Sequence, residues 1–187
     1  TQHLQPLRAS VVPLVTTDGR DADHAEETER PRVLVDVMCG TLVTYLRMCG
    51  YDALYALDRG IEADDELANL AVETDRTLLT RDRALAARVE DAVRLTERDV
   101  LDQLRELDAA GYPIELADEP TRCGACNGPV ERVGLDEPRP SYVPADGPER
   151  HWRCRDCGQW FWKGSHWASV AERLAEAELT GDEALSQ

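Results

Sequence analysis

The sequence predicts an α/β protein with an open, mostly parallel sheet, helices on both faces of the sheet, and a small C-terminal module rich in cysteine. At 187 residues and 42% hydrophobic composition, the chain can form one ordinary domain with a small appendage. Short apolar runs alternate with amphipathic stretches between residues 33 and 107, which is typical of right-handed β–α–β crossovers. Two CxxC pairs and all four tryptophans then fall within residues 121–167.

The first elements follow a charge-dense segment, residues 1–31, which we expect to be an acidic and partly disordered leader. The run at 33–37 predicts a buried parallel strand with Asp36 near its end. An apolar stripe at helical spacing comes next: Leu42, Tyr45, Leu46 and Cys49. Gly50 is placed to terminate that helix.

Three further strands and three further helices complete the predicted sheet. The strands are expected at residues 52–57, 77–80 and 92–95. The helices are expected to begin at Asp64 as N-cap, at residues 81–83, and at Asp99. In an open parallel sheet, functional side chains lie at the carboxyl ends of the strands.

The charge balance suggests an environment. Acidic residues number 37 against 21 basic ones, the formal net charge is −16, and Lys163 is the only lysine. This composition is typical of proteins from salt-in halophiles, because molar salt shortens the Debye length to about 3 Å and removes self-repulsion. It also argues against a polybasic nucleic-acid binder, so any contact with nucleic acid has to be local.

A halophilic origin predicts that stability depends on salt. The free energy of unfolding is expected to rise as KCl increases from low to molar concentration, because salt screens the surplus carboxylates. Thermal unfolding across that KCl range measures the effect. Equal stability at both extremes would contradict the halophilic interpretation.

The two CxxC pairs predict a metal centre. Cys123 and Cys126 precede Cys154 and Cys157, and two such turns can close a tetrahedral site of four thiolates, which zinc prefers in structural positions. Disulfides or a redox CxxC are the alternative, which the expected reducing compartment disfavours. The remaining cysteines, Cys39 and Cys49, are expected to be buried apolar side chains without chemistry.

The cysteine-rich module is also the least acidic part of the chain. Most of its tryptophans are expected to form a small core, with the alternative that they stack on single-stranded nucleic acid. Trp167 is expected to be exposed or to lie between domains. The candidate RNA contacts of the module are Arg153, Lys163, His166 and Trp167.

Three aspartates are candidates for a catalytic metal site. Asp36 and Asp82 end predicted strands, and Asp65 lies in the first turn of a helix, so the fold can bring them together. Clustered carboxylates need a cation, and their oxygens favour Mg²⁺ or Mn²⁺, which can activate water for phosphodiester hydrolysis. The alternative is that each is an ordinary acid, with Asp65 complementing a helix dipole.

A second interpretation of the first strand is excluded by one residue. The run VLVDVMCGT at 33–41 superficially resembles the nucleophile loop, DxDGT, of haloacid-dehalogenase-type phosphatases. The second aspartate would fall at position 38, where this chain has Met38. The general acid of that mechanism is therefore missing.

Five segments in order resemble the Mut-seven C-terminal ribonuclease domain family: VDVMCGTLVTYLRMCGYD (35–52), DDELANLA (64–71), LLTRDRALA (78–86), TRCGACNGPVERV (121–133) and WRCRDCGQWFWKGSHW (152–167). The resemblance covers about residues 33–167 and implies a PIN-like nuclease core joined to a zinc ribbon. It implies an acidic site on Asp36, Asp65 and Asp82, with Asp64 and Glu66 as neighbouring candidates. It also implies a structural zinc on the four paired cysteines.

The chain departs from the family pattern at one position. The family commonly has a lysine after the glycine that opens the first helix, and here Thr41 follows Gly40. Arg47 in the same helix matches the pattern, and Arg81 is the candidate to replace the missing charge, although arginine and lysine differ in geometry.

The resulting prediction is a cytoplasmic, metal-dependent ribonuclease acting on single-stranded or structured RNA, with a protein or the ribosome as a further partner and no membrane contact. The alternative is a non-catalytic RNA- or ribosome-associated adaptor with a degenerate site, which Thr41 favours. The predicted organisation is a leader at 1–31, a PIN-like domain at 32–118, a zinc ribbon at 119–167 and a solvated acidic helix or tail at 168–187.

Overall fold

The computed structural model describes residues 30–134, 137–144, 150–177 and 179, so nearly all of the predicted leader lies outside the described residues. A parallel sheet is formed by Val33–Val35 (β1), Ala53–Tyr55 (β2), Thr77–Thr80 (β3) and Ala92–Arg94 (β4). The strand order is β2-β1-β3-β4, and every neighbouring pair is parallel. The predicted α/β fold class is confirmed.

Helices connect the strands and follow the sheet. They are Gly40–Met48 (α1), Asp64–Glu73 (α2), Arg83–Ala86 (α3), Val100–Ala109 (α4) and Ser165–Glu176 (α5). Strands β1 and β2 end earlier than predicted because single 3₁₀ turns, Val37–Cys39 and Leu57–Arg59, follow them closely. Helix α3 is a single turn, which is shorter than its apolar pattern suggested.

Alternation along β1 builds a core on each face of the sheet. Val33 and Val35 pack in one cluster with side chains of α1, α4 and α5. Leu34 packs in a second cluster with side chains of α2 and α3. Because both faces are covered, β1 and β3 are buried at every residue, including the two threonines that begin and end β3.

Two helices, α3 and α4, begin where the sequence predicts, and an aspartate caps each of them. Asp82 and Asp99 are N-caps, and their side chains accept hydrogen bonds from Leu85 and Leu101 backbone N–H groups. The prediction of Asp64 as an N-cap is wrong, because Ala63 occupies that position and Asp64 is the first helical residue. The three acids in the first turn of α2 still complement the positive end of the helix dipole.

The cysteine-rich module is a three-stranded antiparallel sheet. Its strands are Val130–Arg132 (β5), His151–Cys154 (β6) and Trp160–Trp162 (β7), in the order β5-β6-β7. A small core forms around Val133, Val143 and Trp160, and Trp152 is also buried. Core packing therefore accounts for these two tryptophans, as expected.

The C-terminal helix differs from the expected solvated element. Helix α5 begins at Ser165 and buries Val170 and Leu174 in the same cluster as α1 and α4. The Arg105 guanidinium of α4 also donates to the Ala177 carbonyl at 2.9 Å. The composition of the segment is acidic on average, but its two apolar residues lie one helical turn apart and dock on the sheet domain.

Candidate active site and metal centre

The carboxyl ends of β1 and β3 place two of the predicted acids near each other. Asp36 directly follows β1, and its backbone N–H donates to the Leu79 carbonyl of β3 at 3.0 Å. Asp82 lies two residues after the end of β3 and caps α3. Since β1 and β3 are neighbouring parallel strands, both carboxylates lie at the same edge of the sheet.

Thr80 links these two acids. Its hydroxyl donates to Asp36 Oδ2 at 2.6 Å and accepts the Asp82 backbone N–H at 3.0 Å. The Thr80 side chain is fully buried, and Asp36 is only 6% exposed. Sequence reasoning missed Thr80, although a threonine that ends a buried strand two residues before an acid was the available signal.

Asp65 is less closely integrated. It is 82% exposed at the start of α2 and forms an ion pair with Arg88. Its neighbours Asp64 and Glu66 are exposed in the same turn. Within the described residues, the four cysteines are the only group of three or more His, Cys, Asp or Glu side chains whose ligand atoms lie within 4.8 Å of one another. The three predicted acids therefore do not close to ligand distance in this structure.

Besides Asp82, the titratable groups near Asp36 include Cys39 and Tyr55. Burial, together with the Asp36 charge, raises the pKa of the Cys39 thiol to about 11, so this cysteine is not a nucleophile at neutral pH. The Tyr55 hydroxyl donates to the Val37 carbonyl at 3.1 Å, and burial raises its pKa. Arg81 lies close enough for its charge and its backbone N–H to lower the Cys39 pKa.

Gly40 lies close to the side chain of Tyr55. A Cβ atom at residue 40 would lie 2.5 Å from the Tyr55 hydroxyl oxygen, which is closer than real contacts allow. Thr41, at the position of the family lysine, is exposed on the next residue of α1. The half-buried Arg81 has no ion-pair partner within the described part of the chain, so its positive charge is available to a ligand.

The link through Thr80 gives a testable prediction. Thr80→Val removes the hydroxyl, so Asp36 loses a buried donor. Under the ribonuclease prediction made from the sequence, we expect cleavage activity to fall about tenfold and the metal concentration for half-maximal activity to rise. Unfolding free energy should fall by about 1–3 kcal/mol. The control Thr80→Ser keeps the hydroxyl and is expected to retain most of the activity. Equal activity of both variants would contradict a positioning role.

The four paired cysteines can hold a metal ion such as zinc. Cys123 Sγ lies 3.6 Å from Cys157 Sγ, and Cys126 Sγ lies 3.5 Å from Cys154 Sγ. A disulfide would require about 2.05 Å, whereas tetrahedral zinc with bonds of about 2.3 Å places its sulfurs roughly 3.8 Å apart. The spacing therefore fits a shared ion, and all four cysteines are free of disulfide bonds in this structure.

Two matching turns present these cysteines. The Asn127 N–H donates to the Cys123 carbonyl at 2.9 Å, and the Gly158 N–H donates to the Cys154 carbonyl at 3.1 Å. Both donors have positive φ, 66° at Asn127 and 75° at Gly158. Gly128 leaves room for the site, because a Cβ there would lie 2.9 Å from Cys154 Sγ. We call the turns 123–127 and 154–158 the first and second knuckles.

The two leftover cysteines are buried, as expected. Cys39 is 2% exposed and Cys49 is fully buried, and both belong to the core cluster of β1 and α1. Burial raises the pKa of Cys49 to about 12. Neither thiol contributes to the metal centre.

Arg47, a secondary candidate for the acidic site, lies elsewhere. It is 3% exposed and donates to the Ala53 carbonyl, the Gly124 carbonyl and the Asp58 carboxylate. All three of its nitrogens are therefore bound within the protein. The helix pattern could not predict these partners of Arg47, because Gly124 is 77 residues away in the sequence.

The candidate RNA contacts of the module divide into two groups. Arg153 forms ion pairs with Glu131 and Glu137, so its charge is neutralised within the module. Lys163 Nζ lies 5.1 Å from the centroid of the Trp167 ring and also donates to the Asp118 carbonyl. His166 is exposed beside the half-buried Trp167.

A comparison with models of protein families identifies the family of this chain. The sequence model described as the Mut7-C RNAse domain matches residues 31–174, a range that includes the parallel sheet and all four paired cysteines. The chain belongs to this family. Neither a curated protein nor a solved structure matches the chain. Membership of the Mut7-C RNAse family implies a nuclease-type function with RNA as substrate.

Within the described residues, no helix is both long and apolar enough to span a bilayer.

Proposed function

We propose that this Mut7-C protein is a metal-dependent ribonuclease whose active site lies at the carboxyl ends of β1 and β3. The observation that carries the proposal is the buried Asp36, bound to Thr80, whose hydroxyl also binds the backbone of Asp82. Within the described residues Asp36 has a neutral hydroxyl donor but no ion-pair partner, so a bound cation would offset the cost of burying its charge. Its position at a strand end is where open α/β sheets place their sites.

The proposed metal ligands are Asp36 and Asp82, with Asp65 joining if its exposed ion pair with Arg88 opens. Carboxylate oxygens are the donors that Mg²⁺ and Mn²⁺ prefer. The bound ion would supply an activated water and stabilise charge on the leaving oxygen of the phosphodiester. Thr80 fixes the orientation of Asp36, and the α3 cap fixes Asp82.

The phosphate needs a cation from the protein as well. Arg81 directly follows β3, and within the described residues its guanidinium has no ion pair. We propose that Arg81 neutralises the scissile phosphate in place of the family lysine, whose position is occupied by Thr41. A planar guanidinium can bind two phosphate oxygens at once, whereas an ammonium acts as a point charge.

The four paired cysteines are proposed to bind one structural zinc ion. Their sulfur spacing fits tetrahedral coordination, and four protein ligands leave no open position for a substrate. The ion would supply folding energy to a module whose core is small. Lys163, His166 and Trp167 are the proposed RNA contacts of this module, since Arg153 is already paired.

A second function has specific support. Thr41 replaces the family lysine, and Asp65 is engaged by Arg88, so the chain also fits a non-catalytic RNA- or ribosome-associated adaptor. This candidate retains the fold and the metal centre but has no turnover.

Cleavage of single-stranded RNA at molar KCl distinguishes these two functions. The enzyme predicts cleavage that requires added Mn²⁺ or Mg²⁺ and returns when the ion is restored after chelation. The adaptor predicts RNA or ribosome binding without cleavage under every metal condition. An RNA of random sequence is the substrate of choice, because neither function specifies a target.

A further inference from the structure

Within the described residues β2 is an edge strand of the parallel sheet, and two side chains bind the backbone groups on its open side. The Ala53 N–H donates to Asn127 Oδ1 at 3.0 Å, and the Ala53 carbonyl accepts Arg47 Nε at 3.0 Å. Both hydrogen bonds are buried. Edge strands normally present such groups to water, so this edge depends on partners from outside the sheet.

The first knuckle supplies one partner and holds the other. Asn127 ends this knuckle in the left-handed conformation, so the path of the chain around the cysteines fixes its backbone. Its side-chain amide also donates to Asp52 Oδ1 at 2.6 Å. The Gly124 carbonyl of the same knuckle accepts Arg47 Nη1 at 2.9 Å, while Asp58 binds Arg47 Nη2 at 3.1 Å.

Electrostatics favour this contact. Burial raises the pKa of the Asp52 carboxyl, but hydrogen bonds from Arg76 and Asn127 and the charges of Arg76 and Arg122 outweigh burial, so its pKa falls below the ordinary value. Asp52 is therefore ionised at neutral pH and attracts the Asn127 amide. In the second knuckle the corresponding residue is Gly158, which is exposed and has no side chain to make such a contact.

We propose that metal binding at the four cysteines controls the β2 edge of the nuclease domain through Asn127 and Arg47. The proposal rests on the metal centre proposed above. A metal-bound first knuckle presents Asn127 Oδ1 to Ala53 and the Gly124 carbonyl to Arg47. Loss of the metal frees the knuckle, so Ala53 loses the Asn127 amide oxygen and Arg47 loses its Gly124 acceptor, while the opposite edge at β4 is unaffected.

The coupling reaches the proposed active site through Tyr55. This residue ends β2, its hydroxyl binds the Val37 carbonyl one residue after Asp36, and it lies against the start of α1 at Gly40. A loosened β2 edge therefore moves a side chain that touches the segment carrying Asp36. The metal centre thus controls the conformation of the β2 edge in addition to stabilising its own module.

Amide hydrogen exchange on the full chain tests the coupling. The variant Asn127→Gly keeps the left-handed turn and removes only the side-chain amide. Its matched control is Gly158→Asn, which places an asparagine at the corresponding position of the second knuckle, in open space. Exchange at Ala53 is the readout, and Leu95, whose N–H bonds the Thr80 carbonyl at 2.8 Å, reports the opposite edge.

We expect Asn127→Gly to retain its zinc and to exchange Ala53 about tenfold faster, with Leu95 unchanged. Gly158→Asn should match wild type at both amides. In wild type, zinc removal with a chelator should accelerate Ala53 more than Leu95, which tests the coupling even if the variant fails to fold.

Three outcomes would overturn the proposal, and they differ in whether the metal centre is also lost. Unchanged Ala53 exchange in a zinc-loaded Asn127→Gly variant would remove the coupling and leave the metal centre intact. Equal acceleration of Ala53 and Leu95 on chelation would replace edge control with global unfolding. Absence of bound zinc in wild type, measured by elemental analysis, would remove the metal centre and the coupling with it.

Discussion

Asp36→Asn is expected to reduce RNA cleavage at least about 100-fold with little loss of stability. Asparagine has nearly the same shape as aspartate, and its carbonyl oxygen can still accept the Thr80 hydroxyl that now binds Asp36 Oδ2 at 2.6 Å. The substitution removes the negative charge that would hold a divalent cation, and loss of one such electrostatic contribution typically costs two to three orders of magnitude in rate. Initial rates at saturating Mn²⁺ measure this effect.

The matched control for this substitution is Asp75→Asn. Asp75 is exposed between α2 and β3, near the amino end of β3, so it lies at the end of the sheet opposite to Asp36. Its positive φ of 52° suits asparagine. The two variants have the same net charge, so any general effect on RNA attraction is equal. Activity lost to the same extent in both variants would remove Asp36 from the site.

The second large effect is expected from Cys154→Ser. The Cys154 thiol is buried 3.5 Å from Cys126 Sγ, and serine is a poor zinc ligand, so the variant should lose its bound ion. Structural zinc contributes roughly 10–16 kcal/mol in small zinc-binding peptides, so the module should unfold. Zinc content by elemental analysis and loss of the near-UV tryptophan signal measure the result.

Cys49→Ala is the control for thiol loss alone. Cys49 is fully buried in the core of the sheet domain and has no part in the metal centre. We expect this variant to keep one zinc per chain and to lose only the packing energy of one small side chain, about 1–2 kcal/mol. A Cys154→Ser variant that still carried one zinc and kept its tryptophan signal would exclude the proposed coordination.

The sheet was predictable because its signals are local. The fully buried β1 is an unbroken apolar run, and the strand predicted at 77–80 coincides with β3. The four metal-site cysteines were predictable because the CxxC spacing places each pair in one tight turn. The caps at Asp82 and Asp99 follow from the same short-range chemistry.

The errors at element ends, such as the Asp64 cap, are local, whereas the larger errors and omissions depend on contacts distant in sequence. Helix α5 was expected to be solvated because its composition is acidic, yet Val170 and Leu174 find the cluster of α1 and α4. Arg47 matched the family pattern of the first helix, but its partner Gly124 belongs to the metal module. Asn127 looked like an ordinary loop residue, and only the folded chain shows its contact with Ala53.

The candidate acidic site was predictable in part for the same reason. Asp36 and Asp82 follow strands, so the topology alone places them at one edge. Thr80 between them and the ion pair of Asp65 with Arg88 depend on side-chain geometry, which no spacing rule specifies. The role of these acids stays a prediction for experiment.

Metal-dependent cleavage by an Asp82→Asn variant is the most direct test of the proposed active site. Asparagine caps helices as well as aspartate does, so the cap on α3 is expected to survive while the charge is lost. With zinc content equal to wild type and molar KCl present, we predict that Mn²⁺ restores cleavage of single-stranded RNA in the chelated wild type and not in Asp82→Asn. Full Mn²⁺-dependent cleavage by Asp82→Asn would contradict an active site at the carboxyl edge of β1 and β3.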